Sequence, residues 1–197
     1  MILSTGMASL GEIEEALRAI RSTGNDQIIL LHCNSLYPTP TELVNLNAIK
    51  TLKEAFKIPV GFSDHSLGIH IPVAAAALGA CVIEKHITIS KNLEGPDHSF
   101  ALEPQELDTL VSSVHEVTWA LGNGIKERSP AEDEAYIKGR RSIHAKVDIP
   151  RNTRITRDML IVKRPGLGIA PKYISIVEGR KALDTIKADQ WISWDLI

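Results

Sequence analysis

Four short apolar runs, each closed by a polar cluster, constrain the fold of this chain more than any other feature. The runs are Ile2-Leu3, Ile28 to Leu31, Ile58 to Phe62 and Cys81 to Ile83. They are too short for helices and lack polar alternation, so they are predicted to be strands buried on both faces. Helical patterns separate them. Residues 11–22 place Ile13, Leu17 and Ile20 on one stripe, with Gly24 as a stop. Residues 41–55 repeat the pattern through Leu43, Leu46, Ile49 and Leu52, and residues 71–78 are alanine-rich, which suits close packing on a sheet. The longest pattern, residues 103–121, carries Leu107, Leu110, Val111, Val114 and Val117 on its apolar side, with Gly122 behind it.

Strand then helix, four times at intervals of roughly 23 to 32 residues, predicts consecutive βα units and a parallel sheet with right-handed crossovers. The polar clusters are Ser4-Thr5, His32-Cys33-Asn34, Ser63-Asp64-His65 and Glu84-Lys85-His86. In a barrel all four converge on one mouth, whereas an open doubly wound sheet spreads them along an edge. The barrel is the preferred reading, and four strands are half of one. After Gly122 the composition changes. Residues 129–138 are polar and charged, and from Arg141 onward turn residues interrupt short segments (Asp148-Ile149-Pro150, Arg164-Pro165-Gly166, Gly168, Pro171, Gly179). The expected organisation is an α/β domain over residues 1–124, a linker over 125–139 and a compact, mostly β module over 140–197.

Bulk properties exclude several classes. A formal net charge of -2 over 197 residues gives no footprint for a nucleic-acid partner. No apolar run approaches the length needed to span a bilayer, and no signal-peptide pattern opens the sequence. Cys33 and Cys81 lie in apolar stretches without metal-binding spacing and are expected to be buried, reduced thiols, which places the protein in the cytoplasm.

The chemistry-bearing residues sit at strand ends. His65 and His86 each occupy the third position of a polar cluster, one strand apart. On neighbouring strands their imidazoles would share one mouth, where two histidines suit Mn, Zn or Fe and leave positions open for water and substrate; alternatively each only hydrogen-bonds within its loop. Asp64 and Glu84 could orient those histidines or bind metal; alternatively each is a local helix N-cap or forms a salt bridge, a reading that the position of Asp64 before Ser66 favours. Lys85 could neutralise an anion or pair with a strand-end carboxylate. Gly95-Pro96 stiffens the loop that carries Asp97, which could hold a ligand hydroxyl or be a plain turn residue. Ser4, Asn34 and Ser63 are neutral donors suited to phosphate or carboxylate oxygens, and each could instead serve as a cap.

Several segments carry a resemblance. LSTGMA (3–8), LLHCNSLYPTP (30–40), GFSDHSLG (61–68), EKHIT (84–88) and GPDHSFALEP (95–104) resemble, in order and spacing, the N-acetylneuraminate (sialic acid) synthase family. RRSIHA (140–145) and KRPGLGIAP (163–171) resemble its C-terminal antifreeze-like, or SAF, module. The resemblance implies the C-terminal half of a TIM (β/α)8 barrel followed by a small SAF domain of β-clip type. It implies a transferase of the EC 2.5.1 class that condenses phosphoenolpyruvate with an N-acetylmannosamine-type sugar and releases phosphate. By the same resemblance His65 and His86 are ligands of Mn2+ or Mg2+, and Ser4, Asn34 and Ser63 contact phosphoenolpyruvate. Tyr37 and Asp97 lie on the sugar side, and Arg164 enters the site from the partner subunit of a domain-swapped homodimer.

The family barrel begins with four further βα units, so the resemblance implies a truncated or split synthase. The lysines that bind phosphoenolpyruvate and an early glutamate on the sugar side would be missing with those units. The alternative is a non-catalytic protein that uses the SAF module to dimerise or to hold a sugar.

Overall fold

The computed structural model describes all 197 residues, in two compact units, Met1–Ile125 and Lys126–Ile197. The first is an α/β unit with the element order β1 (Ile2–Ser4), α1 (Leu10–Arg21), β2 (Ile29–His32), α2 (Ala48–Phe56), β3 (Val60–Asp64), α3 (His70–Ala77), β4 (Ile83–Lys85) and α4 (Pro104–Leu121). The four strands form one parallel sheet in sequential order. This parallel βα architecture is the one the strand-and-helix spacing predicts.

Alternation along the strands divides the sheet into two faces. Leu30, Val60 and Phe62 point to the side where Ile13 and Leu17 of α1, Ile49 and Leu52 of α2 and Ala75 of α3 join them in one buried cluster, with Ile83 packed against it. Each fully buried Leu or Ile there contributes about 1.5–3 kcal/mol of burial free energy. Leu31, Gly61 and Ser63 face the other way, and Gly61 has no alternative. A Cβ at this position would lie 2.6 Å from Leu31 Cδ2 and 2.6 Å from the Val82 carbonyl oxygen. Helix α1 starts with a capping box, in which the Ser9 backbone N–H donates to the Glu12 carboxylate at 2.7 Å and the Glu12 N–H returns to Ser9 Oγ.

Two expectations fail locally. The helix predicted over residues 41–55 is broken into a 3-10 turn, Thr41–Leu43, and α2, with Asn45 at a φ of 51° between them. The cause lies in β2: Asn34 Nδ2 reaches the Leu43 carbonyl at 2.9 Å and His32 Nε2 reaches the Val44 carbonyl at 2.8 Å. Strand-end side chains thereby take acceptors that a continuous helix would use. The second correction concerns Cys81, which is exposed, whereas Cys33 is buried, and both are free thiols. Cys81 precedes β4, outside the buried row.

The second unit contains a 3-10 turn at Pro130–Glu132, α5 (Asp133–Gly139), β5 (Ser142–Ala145), β6 (Leu160–Lys163) and α6 (Ile174–Val177). Strands β5 and β6 pair antiparallel, from Ser142 opposite Lys163 to Ala145 opposite Leu160. Single bridges (His144 to Trp191, Ile149 to Ile186, Arg154 to Lys181) tie in the irregular chain around them. Its core is largely isoleucine: Ile143, Ile149, Ile155, Ile186 and Ile192 are fully buried. Stiff β-branched side chains suit such short, turn-rich segments, because they lose little rotamer freedom on packing. No helix in the chain is long and apolar enough to cross a membrane.

Candidate active site

The register of β3 and β4 builds the site. Ser63 pairs with Glu84 and Asp64 with Lys85, so His65 and His86 are the next residues of the two adjoining strand ends. Alternation sends the odd and even members to opposite faces. On the helix-free face, Ser63 Oγ donates to Glu84 Oε1 at 2.7 Å, and the His65 and His86 rings lie 5.3 Å apart, edge to face. On the helix face, Lys85 Nζ meets Asp64 Oδ2 at 2.6 Å, and both side chains are almost completely enclosed. Asp64 Oδ1 also accepts from the Ser66 N–H at 2.8 Å, and Lys85 Nζ also donates to the Ser66 carbonyl. Asp64 therefore does not orient a histidine. It clamps the turn after β3 from the opposite side of the sheet, and Lys85 pairs with a strand-end carboxylate.

Backbone geometry fixes the tautomer of His65. Its Nδ1 lies 2.6 Å from the Asn34 carbonyl oxygen, which can only accept, so Nδ1 carries a proton and Nε2 keeps its lone pair. Asn34 thus acts on the histidine through its main chain, while its side-chain amide serves the loop at Leu43. The His65 carbonyl in turn accepts from the Thr39 N–H at 2.9 Å. His86 Nδ1 stands 3.7 Å from Asp97 Oδ2. Tyr37 lies 4.3 Å from the His65 ring and 6.0 Å from His86, and Phe100 packs 5.0 Å from His86. Phe100, inside the GPDHSFALEP segment, went unnoticed in the sequence because a lone aromatic in a loop carries no periodic signal. The Ser63–Glu84 contact depends on register, which strand patterns alone do not specify.

The loop that carries Asp97 is closed at its base. Lys91 N–H donates to Glu103 Oε1 at 2.9 Å and Lys91 Nζ to Glu106 Oε1 at 2.6 Å. The Lys91 hydrogen bond, followed by the Glu103 N–H, holds the Glu106 carboxyl below the ordinary carboxylate range. The His86 carbonyl accepts from the Leu102 N–H at 2.9 Å, and Thr88 Oγ1 sits 2.7 Å from His98 Nδ1. Asp97 is therefore held against β4 from both ends of its loop.

Ser4 ends β1, two strands from Ser63. Its register partner Leu31 pairs with Gly61, so Ser4 faces the same side as Ser63 and His65. Arg164 belongs to the second unit, where its Nε donates to the Gly139 carbonyl at 2.7 Å. The structure thus gathers His65, His86, Ser63, Tyr37 and Asp97, and sets Ser4 further along the same face.

No group of three or more His, Cys, Asp or Glu side chains forms a closed metal cage. The His65–His86 pair fits a divalent ion that takes two imidazoles and fills its other positions with water or substrate oxygens. His65 Nε2 has Ser63 Oγ as its neighbour at 3.5 Å, and Asp97 Oδ2 stands 3.7 Å from His86 Nδ1, beyond hydrogen-bond reach.

The NeuB family profile matches residues 1–126, and the SAF domain profile matches residues 140–197. The chain belongs to the NeuB family. An uncharacterized protein of Methanocaldococcus jannaschii is 50% identical over 195 residues, covering 99% of this chain and 58% of its own length. The N,N'-diacetyllegionaminic acid synthase of Campylobacter jejuni is 47% identical over 98% of this chain and 58% of its own length. The crystal structure of the spore coat polysaccharide biosynthesis protein SpsE from Bacillus subtilis matches with a TM-score of 0.59 at 38% identity, covering 100% of this chain and 60% of that one. This NeuB-family chain therefore spans less than two thirds of the length of the relatives it matches.

Proposed function

We propose that this chain supplies the metal-binding half of a nonulosonic acid synthase site, for condensing phosphoenolpyruvate with an N-acetylmannosamine-type amino sugar. The observation that carries this reading is the pair His65 and His86, adjacent in register, with Tyr37, Phe100 and Asp97 around it. The 47% identity to a legionaminic acid synthase supports it. In this reading the four βα units are the C-terminal half of a (β/α)8 barrel. The functional unit is a homodimer in which Arg164 of one subunit serves the site of the other.

The reaction joins C3 of phosphoenolpyruvate to the aldehyde carbon of the open-chain sugar. Water supplies the new oxygen at C2, and phosphate leaves. Mn2+ or Mg2+, held by His65 and His86, would supply Lewis-acid polarisation of an aldehyde oxygen. Ser4, Asn34 and Ser63 are assigned to phosphoenolpyruvate, and Tyr37 and Asp97 to the sugar. In the free chain the Ser63 proton is given to Glu84, so donating it to a phosphoenolpyruvate oxygen requires the hydroxyl to turn away from that carboxylate. Tyr37 and Phe100 wall the histidines with aromatic surface.

The test is phosphate release from phosphoenolpyruvate and N-acetylmannosamine with Mn2+. It is run on the chain alone and on the chain complemented by the N-terminal part of the Campylobacter jejuni relative. Turnover is expected in the complemented sample and lost in His65→Ala. Paramagnetic broadening of the His65 and His86 ring signals by Mn2+ gives a second readout that does not depend on turnover. No turnover under complementation, or full turnover in His65→Ala, would remove the assignment.

A further inference from the structure

Polar contacts from two sides hold the three residues Arg164-Pro165-Gly166 of the second unit. From one side, the end of α5 takes the loop: Arg164 Nε donates to the Gly139 carbonyl at 2.7 Å, and the Gly166 N–H donates to the Ile137 carbonyl at 2.9 Å. A Cβ on Gly166 would meet Arg140 Cβ at 2.7 Å, so the contact admits no side chain there. From the other side, β5 takes it. Ser142 Oγ donates to the Pro165 carbonyl at 2.6 Å, and His144 Nε2 lies 3.1 Å from Ser142 Oγ and 3.3 Å from the same carbonyl.

Both β5 side chains are enclosed. Ser142 and His144 have at most 1% of their surface exposed. His144 Nδ1 reaches the Asp189 carbonyl at 2.9 Å, which can only accept, so that nitrogen carries a proton and the ring is held in one orientation. Ser142 Oγ gives its single proton to the Pro165 carbonyl, the shorter of its two contacts, and the fixed ring packs beside that hydroxyl and holds it in place. A buried serine and histidine spent on one surface loop are expensive to desolvate, and an apolar pair would fill the same space at lower cost. What the arrangement secures is the direction of the Arg164 side chain, whose guanidinium is otherwise exposed.

We infer that Ser142 and His144, together with the Gly139 carbonyl, are positioning groups that preorganise Arg164. They act through the Pro165 peptide and the Nε–H. This rests on the proposed role of Arg164 toward the amino sugar. A guanidinium bound through Nε keeps both terminal NH2 groups free in one plane, the fork that matches an acyl-amide or a pair of hydroxyls. The ordering cost of that long side chain is then met in the free protein and not on binding.

The test reads the Arg164 side chain directly in the 197-residue chain. The Nε–H resonance is assigned by its disappearance in Arg164→Lys, and its solvent exchange is followed by NMR. Ser142→Ala is expected to speed that exchange by about fivefold, the equivalent of one ordinary hydrogen bond, with backbone amide protection in β5 and β6 retained. Gly166→Ala, which pushes the loop from the α5 side, is expected to do the same if Ser142→Ala fails to fold. Unchanged Nε–H exchange in the folded variants would overturn the inference, and so would a loss of protection spread evenly over the whole unit. In the complemented synthase assay, Ser142→Ala is expected to raise KM for the amino sugar several-fold while kcat holds. If Arg164→Ala raises KM and Ser142→Ala does not, positioning fails while the role of Arg164 stands. If Arg164→Ala itself leaves KM unchanged, the substrate-facing role of Arg164 falls, and the inference falls with it.

Discussion

Replacing Lys85 by methionine would leave the Asp64 carboxylate enclosed without a countercharge. The two side chains are 3% and 0% exposed and meet at 2.6 Å, so water cannot take over the role of the ammonium group. Asp64 keeps one donor, the Ser66 N–H at 2.8 Å, and loses the only charged one. Removing one partner of a buried pair costs about 3–5 kcal/mol, far more than the same change at a surface pair such as Arg18–Glu14. Two compact units make a single unfolding midpoint ill-defined, so the suitable assay is native-state hydrogen exchange at the β3 and β4 amides. Protection there is expected to fall by roughly 100-fold or more in Lys85→Met. The double variant Asp64→Asn with Lys85→Met removes the charge and keeps an acceptor for Ser66, so it is expected to recover most of the loss. A decrease under about tenfold in the single variant would refute the reasoning, as would a double variant no better protected than the single.

Three further perturbations follow from the same geometry. Gly61→Ala would drive a methyl into Leu31 and the Val82 carbonyl, and is expected to cost about 1–3 kcal/mol or more and to disturb the β3–β4 register, read as lost amide protection in those strands. The Glu106 carboxyl titrates below its ordinary range in the folded chain, so its contribution is present at neutral pH and is lost as pH falls through the depressed value. Acidification through that range should therefore loosen the Asp97 loop, and Glu106→Gln should flatten this part of a pH profile of loop amide exchange; an unaltered profile would count against the clasp. Ile143→Ala empties a fully enclosed position in the isoleucine core of the second unit and is expected to cost about 2–5 kcal/mol, read from Trp191 and Trp194 fluorescence in urea.

Much of the first unit was legible because its signals are local. Apolar runs of strand length and helical stripes announce βα units, and the sheet order follows the chain order. The break at residues 44–47 was not legible, because the apolar stripe continues through it. Only the approach of Asn34 and His32 to the Leu43 and Val44 carbonyls interrupts the helix. The fate of Asp64 had the same character: the sequence offers a carboxylate beside a histidine, and alternation turns it to the other face.

The sequence alone determined which residues reach the strand ends, since period-two patterning and strand length follow from local sterics and apolar content. It placed His65 and His86 at matching positions of their clusters, and its motifs placed the chain near the sialic acid synthases. Tertiary structure alone decided what those residues do to one another. Register is a property of two strands, so the pairing of Ser63 with Glu84 and of Asp64 with Lys85 exists only once both have packed. The tautomer of His65 is decided by a carbonyl 31 residues away, and the hold on Arg164 by a glycine carbonyl and two buried side chains of β5. Such contacts are made by chain reversal, which local patterning does not encode.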